Sequence, residues 1–407
     1  MADPGTQSCP YHYYERLHAS APVQLDAQTG LWIVAGHAEL AEAARNWAVF
    51  SSEIDMRRDI STADTAAADA LLQAEGWVAP DVLSQVDPPR HTQYRKLVER
   101  LFTGPAVKRL QSYLDAHITE LFERFPASGP VDFMAQFAGP LPVDVIADQL
   151  GLPRESATSI RRWTDAIIET LNVMISAERR LACTRQIVEF QQYFVAARET
   201  KRREPGTDIL SMLAVARKDD GEELSTEEYI ALSAQLMVAG NETTRNHLAA
   251  GTWLLTQRPD LLEALYTTPA LAVAFVNETL RYESPVQGLF RRCTREIVLG
   301  GVTIPEGARV VLQYGAANRD PRQFPSPSEI RLDRPNAAQH LAFGQGVHAC
   351  VGRVLATAEL ASAFRHLAAR FERIELDPSR PPPAHKPHFS LRGLDQLWLT
   401  LSPRLRA

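Results

Sequence analysis

A chain of 407 residues with 45% apolar and 23% charged side chains can bury a sizeable core. Its net charge of −6 argues against a general nucleic-acid binder. The four cysteines, Cys9, Cys183, Cys293 and Cys350, share no metal-ligand spacing, which excludes zinc and iron–sulfur sites.

The sequence shows no sign of export or of membrane insertion. Its N-terminal segment lacks the cationic start and apolar run of a signal peptide. No uncharged apolar stretch is long enough to span a bilayer. We therefore expect a cytoplasmic protein without membrane contact, whose thiols stay reduced. Because no linker, low-complexity tract or repeat divides the chain, we expect one domain over residues 1–407.

The predicted elements begin with a small β unit at 22–25 and 31–34 and a short helix at 38–45. Residues 51–80 are predicted to be a loop. Helical periodicity then predicts helices at 92–102, 106–124, 155–172, 178–203, 225–256 and 270–283. The remaining predicted elements are β segments at 287–299 and 302–312, a long aperiodic stretch at 318–349, and a helix at 351–371. The pattern indicates a mainly α protein with small peripheral β-sheets.

Cys350 lies just before the last predicted helix, between glycines. The positive end of a helix dipole favours a thiolate at this position. Gly346 and Gly352 let the backbone turn tightly and approach a flat ligand closely. Phe343 can shield the sulfur from water. A lone cysteine is more often a small buried apolar side chain, but this setting favours a metal ligand.

The pattern Phe-x-x-Gly-x-x-x-Cys-x-Gly, met at Phe343, Gly346, Cys350 and Gly352, resembles the signature of the cytochrome P-450 family. The resemblance implies a helical haem-binding domain with small peripheral sheets, which is the cytochrome P-450 fold. It also implies that haem b is bound with Cys350 as the iron ligand. In this family, electron donation from the thiolate favours O–O cleavage.

Haem carries two propionates, which need cations placed to donate charge-assisted hydrogen bonds. His91 and Arg95 lie four residues apart at a predicted helix start, hence on one face. They resemble the segment with which the family contacts the propionates. Arg291 and His348 resemble two further contacts, with the adjacent Arg292 as the alternative to Arg291.

Glu278 and Arg281 are three residues apart on a predicted helix. By itself such a pair is usually an exposed ion pair of small value. The family resemblance implies instead a buried pair that is joined by an arginine from the loop before the cysteine, and Arg334 stands at that place. We interpret these three residues as structural.

The segment 239–244, Ala-Gly-Asn-Glu-Thr-Thr, resembles the family's oxygen-binding segment. Glycine within a helix lowers helix stability by about 1 kcal/mol relative to alanine. Its presence here therefore suggests a functional role. The paired threonines can compete for backbone carbonyls and bend the helix. The resemblance implies that Ala239 and Gly240 border the cofactor, that Thr243 offers its hydroxyl to the oxygen, and that Glu242 relays protons.

The resemblance implies a monooxygenase that uses dioxygen for hydroxylation or O-demethylation. Because no flavin- or nicotinamide-binding segment is present, electrons should come from a ferredoxin and its reductase. The basic run 90–109 and Arg353 could receive that acidic carrier, although the run could equally be a solvated helix face. A peroxide-driven peroxygenase and a non-catalytic haem protein that binds a gas are the alternatives. We expect a monomer.

The substrate is expected to be a neutral hydrophobic molecule such as a terpenoid or steroid, because the pocket that the resemblance implies is largely apolar. An aromatic acid is the alternative, since Arg57 and Arg58 could anchor a carboxylate and the stretch 283–287 occurs in relatives that act on such acids. The expected pocket residues are Ile168, Leu171, Gln235, Val238, Ala239, Val286, Gln287, Leu289 and Leu391.

Overall fold

The computed structural model describes residues 4–54, 65–170 and 175–404. Its helices in the first half are α1 (Pro4–Ser8), α2 (Tyr11–Ser20), α3 (His37–Arg45), α4 (Ala66–Glu75), α5 (Arg90–Val98), α6 (Gly104–Glu123), α7 (Pro140–Leu150), α8 (Ala157–Thr170) and α9 (Ala177–Arg203). Those in the second half are α10 (Ile209–Ala214), α11 (Thr226–Gln257), α12 (Pro259–Thr267), α13 (Ala272–Tyr282), α14 (Tyr314–Ala317) and α15 (Arg353–Arg370).

The named strands form three small sheets. They are β1 (Val23–Asp26), β2 (Leu31–Val34), β3 (Phe50–Ser51), β4 (Val131–Asp132), β5 (Leu289–Cys293), β6 (Ile297–Leu299), β7 (Val302–Ile304), β8 (Arg309–Leu312), β9 (Phe371–Leu376) and β10 (Trp398–Pro403). The largest sheet has the order β1-β2-β8-β5-β3, the second β4-β10-β9, and β6 pairs with β7. The only parallel pairing among the described strands is β2 with β8.

The chain divides into two compact units. The first unit comprises Met1–Ser51, Phe102–Leu141 and Thr243–Ala407, and it contains all the named strands. Its core beside the largest sheet includes Val23, Val34, Phe50 and Leu312, all almost wholly buried. Apolar residues on these strands form a core because one face of the sheet packs against helices of the same unit.

The second unit comprises Ser52–Leu101 and Pro142–Glu242, and its named elements are helices. Side chains cap two of these helices: Ser176 accepts from the Arg179 amide at the start of α9, and Asp208 accepts from the Ser211 amide at the start of α10. Such caps satisfy amide groups that have no partner within the helix. Trp163, Phe190 and Phe194 pack together in its interior.

The mainly α fold with small sheets is confirmed. The prediction of a loop over 51–80 was wrong at Ala66–Glu75, which is helical; there the run of alanines and leucines, good helix formers, outweighs the weak periodicity. The helices α1 and α2 near the N-terminus were also missed. None of the helices in the described residues combines the length and apolar character needed to cross a bilayer.

Candidate active site

The loop before α15 holds Cys350 in a constrained backbone. The Cys350 amide donates to the Phe343 carbonyl at 2.8 Å, and this closes the loop. Gly344 and Gly346 adopt φ values of +66° and +72°, which side-chain-bearing residues rarely adopt. A Cβ on Gly346 would lie 2.6 Å from the Ala44 carbonyl oxygen, so only glycine allows this approach to α3. The thiol of Cys350 therefore lies three residues before the start of α15 at Arg353.

The rest of that loop is anchored by a buried cluster. Glu278 accepts from Arg281 through both oxygens, at 2.8 and 2.9 Å, and from Arg334 Nε at 2.9 Å. The two guanidinium groups also donate to backbone carbonyls, including those of Pro325, Pro327 and Glu329. All three charged side chains are at most 3% exposed. The structure thus brings together the three residues that the sequence interpretation assigned a structural role.

Arg291 and Arg292 point to opposite faces of β5, since successive strand residues alternate. Arg291 is only 7% exposed, whereas Arg292 lies at the surface. Arg291 Nη1 donates to the Phe290 carbonyl, and no carboxylate within the described residues forms an ion pair with it. A buried guanidinium without an acid is costly unless an anion meets it.

The donor set of this unit fits a haem. Cys350 supplies an exposed sulfur at a helix start, and Arg291 supplies a buried cation suited to a propionate. Gly352 lies beside the sulfur, since a Cβ built there would be 4.0 Å from Sγ, an ordinary contact distance. His348 lies in the short helical turn Gly346–His348, two residues before the ligand. These residues would hold the metal and one propionate.

In the second unit, His91 and Arg95 lie on α5. His91 is 3% exposed, and Arg95 Nε lies 3.6 Å from Glu99 Oε2. The neighbouring Lys96 pairs with Asp219 at 2.7 Å. The basic run 90–109 therefore offers less unpaired positive charge than its sequence suggests.

The helix α11 is largely buried, yet its partly exposed residues recur along one face. Ala239 is exposed, and Gln235, Val238 and Glu242 are half-buried. Gly240 lets α11 approach α7, because a Cβ there would be 3.3 Å from Ile146 Cδ1. Thr243, the predicted hydroxyl donor, is half-buried and follows on the same helix, in the first unit.

The predicted pocket residues are placed in several settings. Val286 and Leu391 pair in an isolated bridge, and Leu289 is exposed. Ile168 is half-buried on α8. The amide side chain of Gln287 is buried and bonds to Tyr14 and to the Ser284 carbonyl. Leu171, Arg57 and Arg58 lie outside the described residues.

Sequence reasoning did not assign a role to two further buried polar groups. Arg392 forms an ion pair with Glu283, which also accepts from Tyr11 and lies 3.3 Å from His385. Burial alone would raise the pKa of Glu283, but the positive charge of Arg392, the contact with His385 and the hydrogen bond from Tyr11 lower it to about 2. Burial alone raises the pKa of Glu359 to about 8. No local pattern marks either of them, since the partners of Glu283 are far away in sequence and the burial of Glu359 depends on tertiary packing. The side chain of Gln235, a predicted pocket residue, bonds to a loop that is distant in sequence.

Comparisons with known proteins point to a single protein family. The sequence profile of the cytochrome P450 family matches residues 270–395. The chain is 33% identical to 6-deoxyerythronolide B hydroxylase of Saccharopolyspora erythraea, over 95% of each chain. It is 35% identical to cytochrome P450 monooxygenase PikC of Streptomyces venezuelae, over 95% of this chain and 90% of that one. A mutant of P450 EryK solved with erythromycin B superposes with a TM-score of 0.85 at 28% identity, covering all of both chains.

Proposed function

The chain belongs to the cytochrome P450 family of haem-thiolate monooxygenases, and from that premise we propose that it hydroxylates a neutral hydrophobic molecule with electrons from a ferredoxin and its reductase. The proposal rests on the loop that presents the Cys350 sulfur at a helix start. In the same unit, the buried Arg291 forms no ion pair with a carboxylate of the described residues. We further propose that the cofactor is haem b and that residues 1–407 form a single haem domain. The predictions of a cytoplasmic location and of a monomer stay predictions.

When bound, the haem activates dioxygen, and the protein supplies ligand, orientation and protons. Cys350 would hold the iron, and the propionates would accept from Arg291, His348, His91 and Arg95. Thr243 would hold a proton close to the reacting oxygen through its hydroxyl. Glu242, half-buried, would pass protons from solvent to that hydroxyl.

The aromatic-acid alternative depended on Arg57 and Arg58, which lie outside the described residues, and on the stretch 283–287, whose contacts support a neutral substrate. Glu283 is bonded to Arg392 and Tyr11, and the Gln287 side chain to Tyr14. The amide of Gln287 is therefore already occupied, and the Glu283 anion would repel a substrate carboxylate. The nearby side chains Val286, Leu289 and Leu391 are apolar, which favours an uncharged ligand. Hydroxylation is also the reaction named for one relative.

The proposal of a ferredoxin partner is supported by an open groove of about 640 Å³ on the first unit. The groove runs beside α15 and the loop before the cysteine, and its lining includes Phe343, Gln345, Arg353, Val273, Val354 and Arg365. Val273 and Val354 are exposed apolar side chains, and Arg353 adds positive charge. A surface that combines apolar residues with cations suits an acidic protein partner.

The test combines haem spectroscopy with three turnover assays. The purified protein is reduced under carbon monoxide, and neutral terpenoids, steroids and aromatic acids are screened for shifts of the Soret band. Turnover is then measured with ferredoxin, reductase and nicotinamide cofactor, with hydrogen peroxide, and with neither. We expect a thiolate-type spectrum, shifts with neutral compounds, and product only with the electron donors. Product only with peroxide would indicate a peroxygenase, and no product under any condition would contradict the proposal.

A further inference from the structure

The side chain of Gln235 on α11 forms hydrogen bonds with a loop that lies about 150 residues earlier in the sequence. Its Nε2 donates to the Val82 carbonyl at 2.9 Å and to Gln85 Oε1 at 2.5 Å. Its Oε1 accepts from the Ser84 amide at 3.3 Å and from Ser84 Oγ at 3.1 Å. One carboxamide therefore meets the chain on both sides of Leu83, as a neighbouring strand would. We call this arrangement the Gln235 clasp.

Leu83 supplies an independent sign that the loop is held in place. It has φ of +41°, the left-handed region that branched apolar residues rarely adopt. Such a conformation is strained and persists only where the surroundings enforce it. The clasp bonds to the carbonyl before Leu83 and to the amide after it, and the Leu83 side chain is 8% exposed. The hydrogen bonds of Gln235 and the burial of the Leu83 side chain together stabilise the strained backbone of Leu83.

A second glutamine, Gln191, binds the chain at Trp77, five residues before Val82. Gln191 on α9, 2% exposed, accepts from the Trp77 amide and donates to the Trp77 carbonyl, both at 2.9 Å. Residues 77–85 are thus fixed to two helices of the second unit by paired amide bonds. Gln191 is buried in the unit, whereas Gln235 is only half-buried. We therefore expect the hydrogen bonds of Gln235 to residues 82–85 to open more readily than those of Gln191 to Trp77.

The clasp lies on the partly exposed face of α11. Gln235, Ala239 and Glu242 are spaced i, i+4 and i+7, which places them on one side of the helix. At 1.5 Å per residue, Gln235 is about 10 Å along the axis from Glu242. The clasped loop therefore lies at one end of the helix face that carries the predicted proton relay.

We propose that Gln235 is a positioning residue that sets substrate selectivity by closing the 82–85 loop over this end of the face, and not by touching the substrate. The inference rests on the proposed function. A substrate that needs more room must break the clasp and release Leu83, whereas a smaller one is admitted with the loop in place. The size limit of the pocket then depends on two hydrogen-bonding atoms of one side chain.

The experiment compares the haem-loaded enzyme with Gln235→Leu, Gln235→Glu and the control Gln192→Leu. Gln192 is an exposed neighbour of Gln191 that donates only to the Glu75 carbonyl in the described structure. Glutamate keeps an acceptor for Ser84 but loses the donor to Val82. Hydrogen exchange of the Ser84 amide is measured without substrate, and the dissociation constants of a large and a small compound are taken from Soret shifts.

We expect Gln235→Leu to accelerate Ser84 exchange by about tenfold or more, since the amide loses its acceptor and the loop opens. The ratio of the two dissociation constants should fall toward one, Gln235→Glu should be intermediate, and Gln192→Leu should match the parent. Unchanged exchange with altered selectivity would mean that Gln235 contacts the substrate directly and would overturn the proposal. Unchanged exchange and selectivity would also overturn it. Absence of a thiolate haem spectrum in the parent would instead refute the proposed function, and the exchange result would still stand.

Discussion

Arg334 Nε donates to Glu278 Oε1 at 2.9 Å, across 56 residues of sequence, and both side chains are almost wholly buried. The same Glu278 oxygen accepts from Arg281 and from the Arg331 amide. One carboxylate thus holds together α13 and the loop that leads to Cys350. Because it neutralises two buried guanidinium groups, its loss leaves both charges uncompensated.

Glu278→Gln should lower the free energy of unfolding by about 3–5 kcal/mol, the usual result of breaking a buried ion pair. Urea unfolding, followed by circular dichroism and by haem absorbance, measures the change. Asp333→Asn is the matched control, since Asp333 pairs with Arg331 at the surface; its unfolding midpoint should not move. Equal midpoints for Glu278→Gln and the parent would contradict the structural role.

Cys350→Ser should leave a folded chain that has lost thiolate-ligated haem and oxygenase activity, because a hydroxyl is a poorer donor to iron than a thiolate. The reduced carbon monoxide spectrum provides the measurement. Cys9→Ser, at an exposed cysteine, is the control and should behave as the parent. A thiolate-type spectrum in Cys350→Ser would show that the ligand is a different residue.

Arg291→Ala should release haem severalfold faster than the parent, because a propionate loses a buried cation. The double variant with Arg95→Ala should lose haem faster still, although not completely, since several cations share the contacts. Haem transfer to an apoprotein acceptor gives the rates. Arg292→Ala is the adjacent control on the exposed face of β5 and should retain haem normally. If the double variant retained haem as long as the parent does, Arg291 and Arg95 would not contact the propionates.

Thr243→Ala should uncouple the enzyme without stopping electron flow. Without the hydroxyl, fewer protons are directed to productive O–O cleavage, so product per nicotinamide consumed should fall and released hydrogen peroxide should rise. Coupling is measured with one accepted substrate, beside its Soret shift, which should hardly change. Thr243→Ser keeps a hydroxyl and should restore most of the coupling. Unchanged coupling in the alanine variant would make Thr243 a packing residue.

Glu359 should make the stability of the protein fall between about pH 4.5 and 8. Burial raises its pKa from 4.5 to about 8, so the folded state holds a proton that the unfolded state has released. The stabilising contribution is complete below pH 4.5 and is lost as the pH rises through 8. Glu359→Gln cannot titrate, so its urea midpoint should drop less between pH 5 and pH 8 than that of the parent. Glu372→Gln, at the surface, should follow the parent, and parallel slopes for all three proteins would refute the burial effect.

The family and its central residues could be predicted because their signal is local. Phe343, Gly346, Cys350 and Gly352 stand within ten residues, and their chemistry depends on a helix start and on glycine backbones that the sequence itself shows. The same holds for the long helix α11, which the periodicity predicts and which runs unbroken from Thr226 to Gln257. Local propensity and periodicity were sufficient there.

Only the tertiary structure could decide which side of each element is buried. It distinguished Arg291 from Arg292, because strand alternation separates two neighbours without saying which one faces the interior. It likewise gave Glu359 a raised pKa and gave Gln235 partners about 150 residues away. Burial and long-range hydrogen bonds arise from packing distant segments together, and a single sequence carries no local signal of that packing.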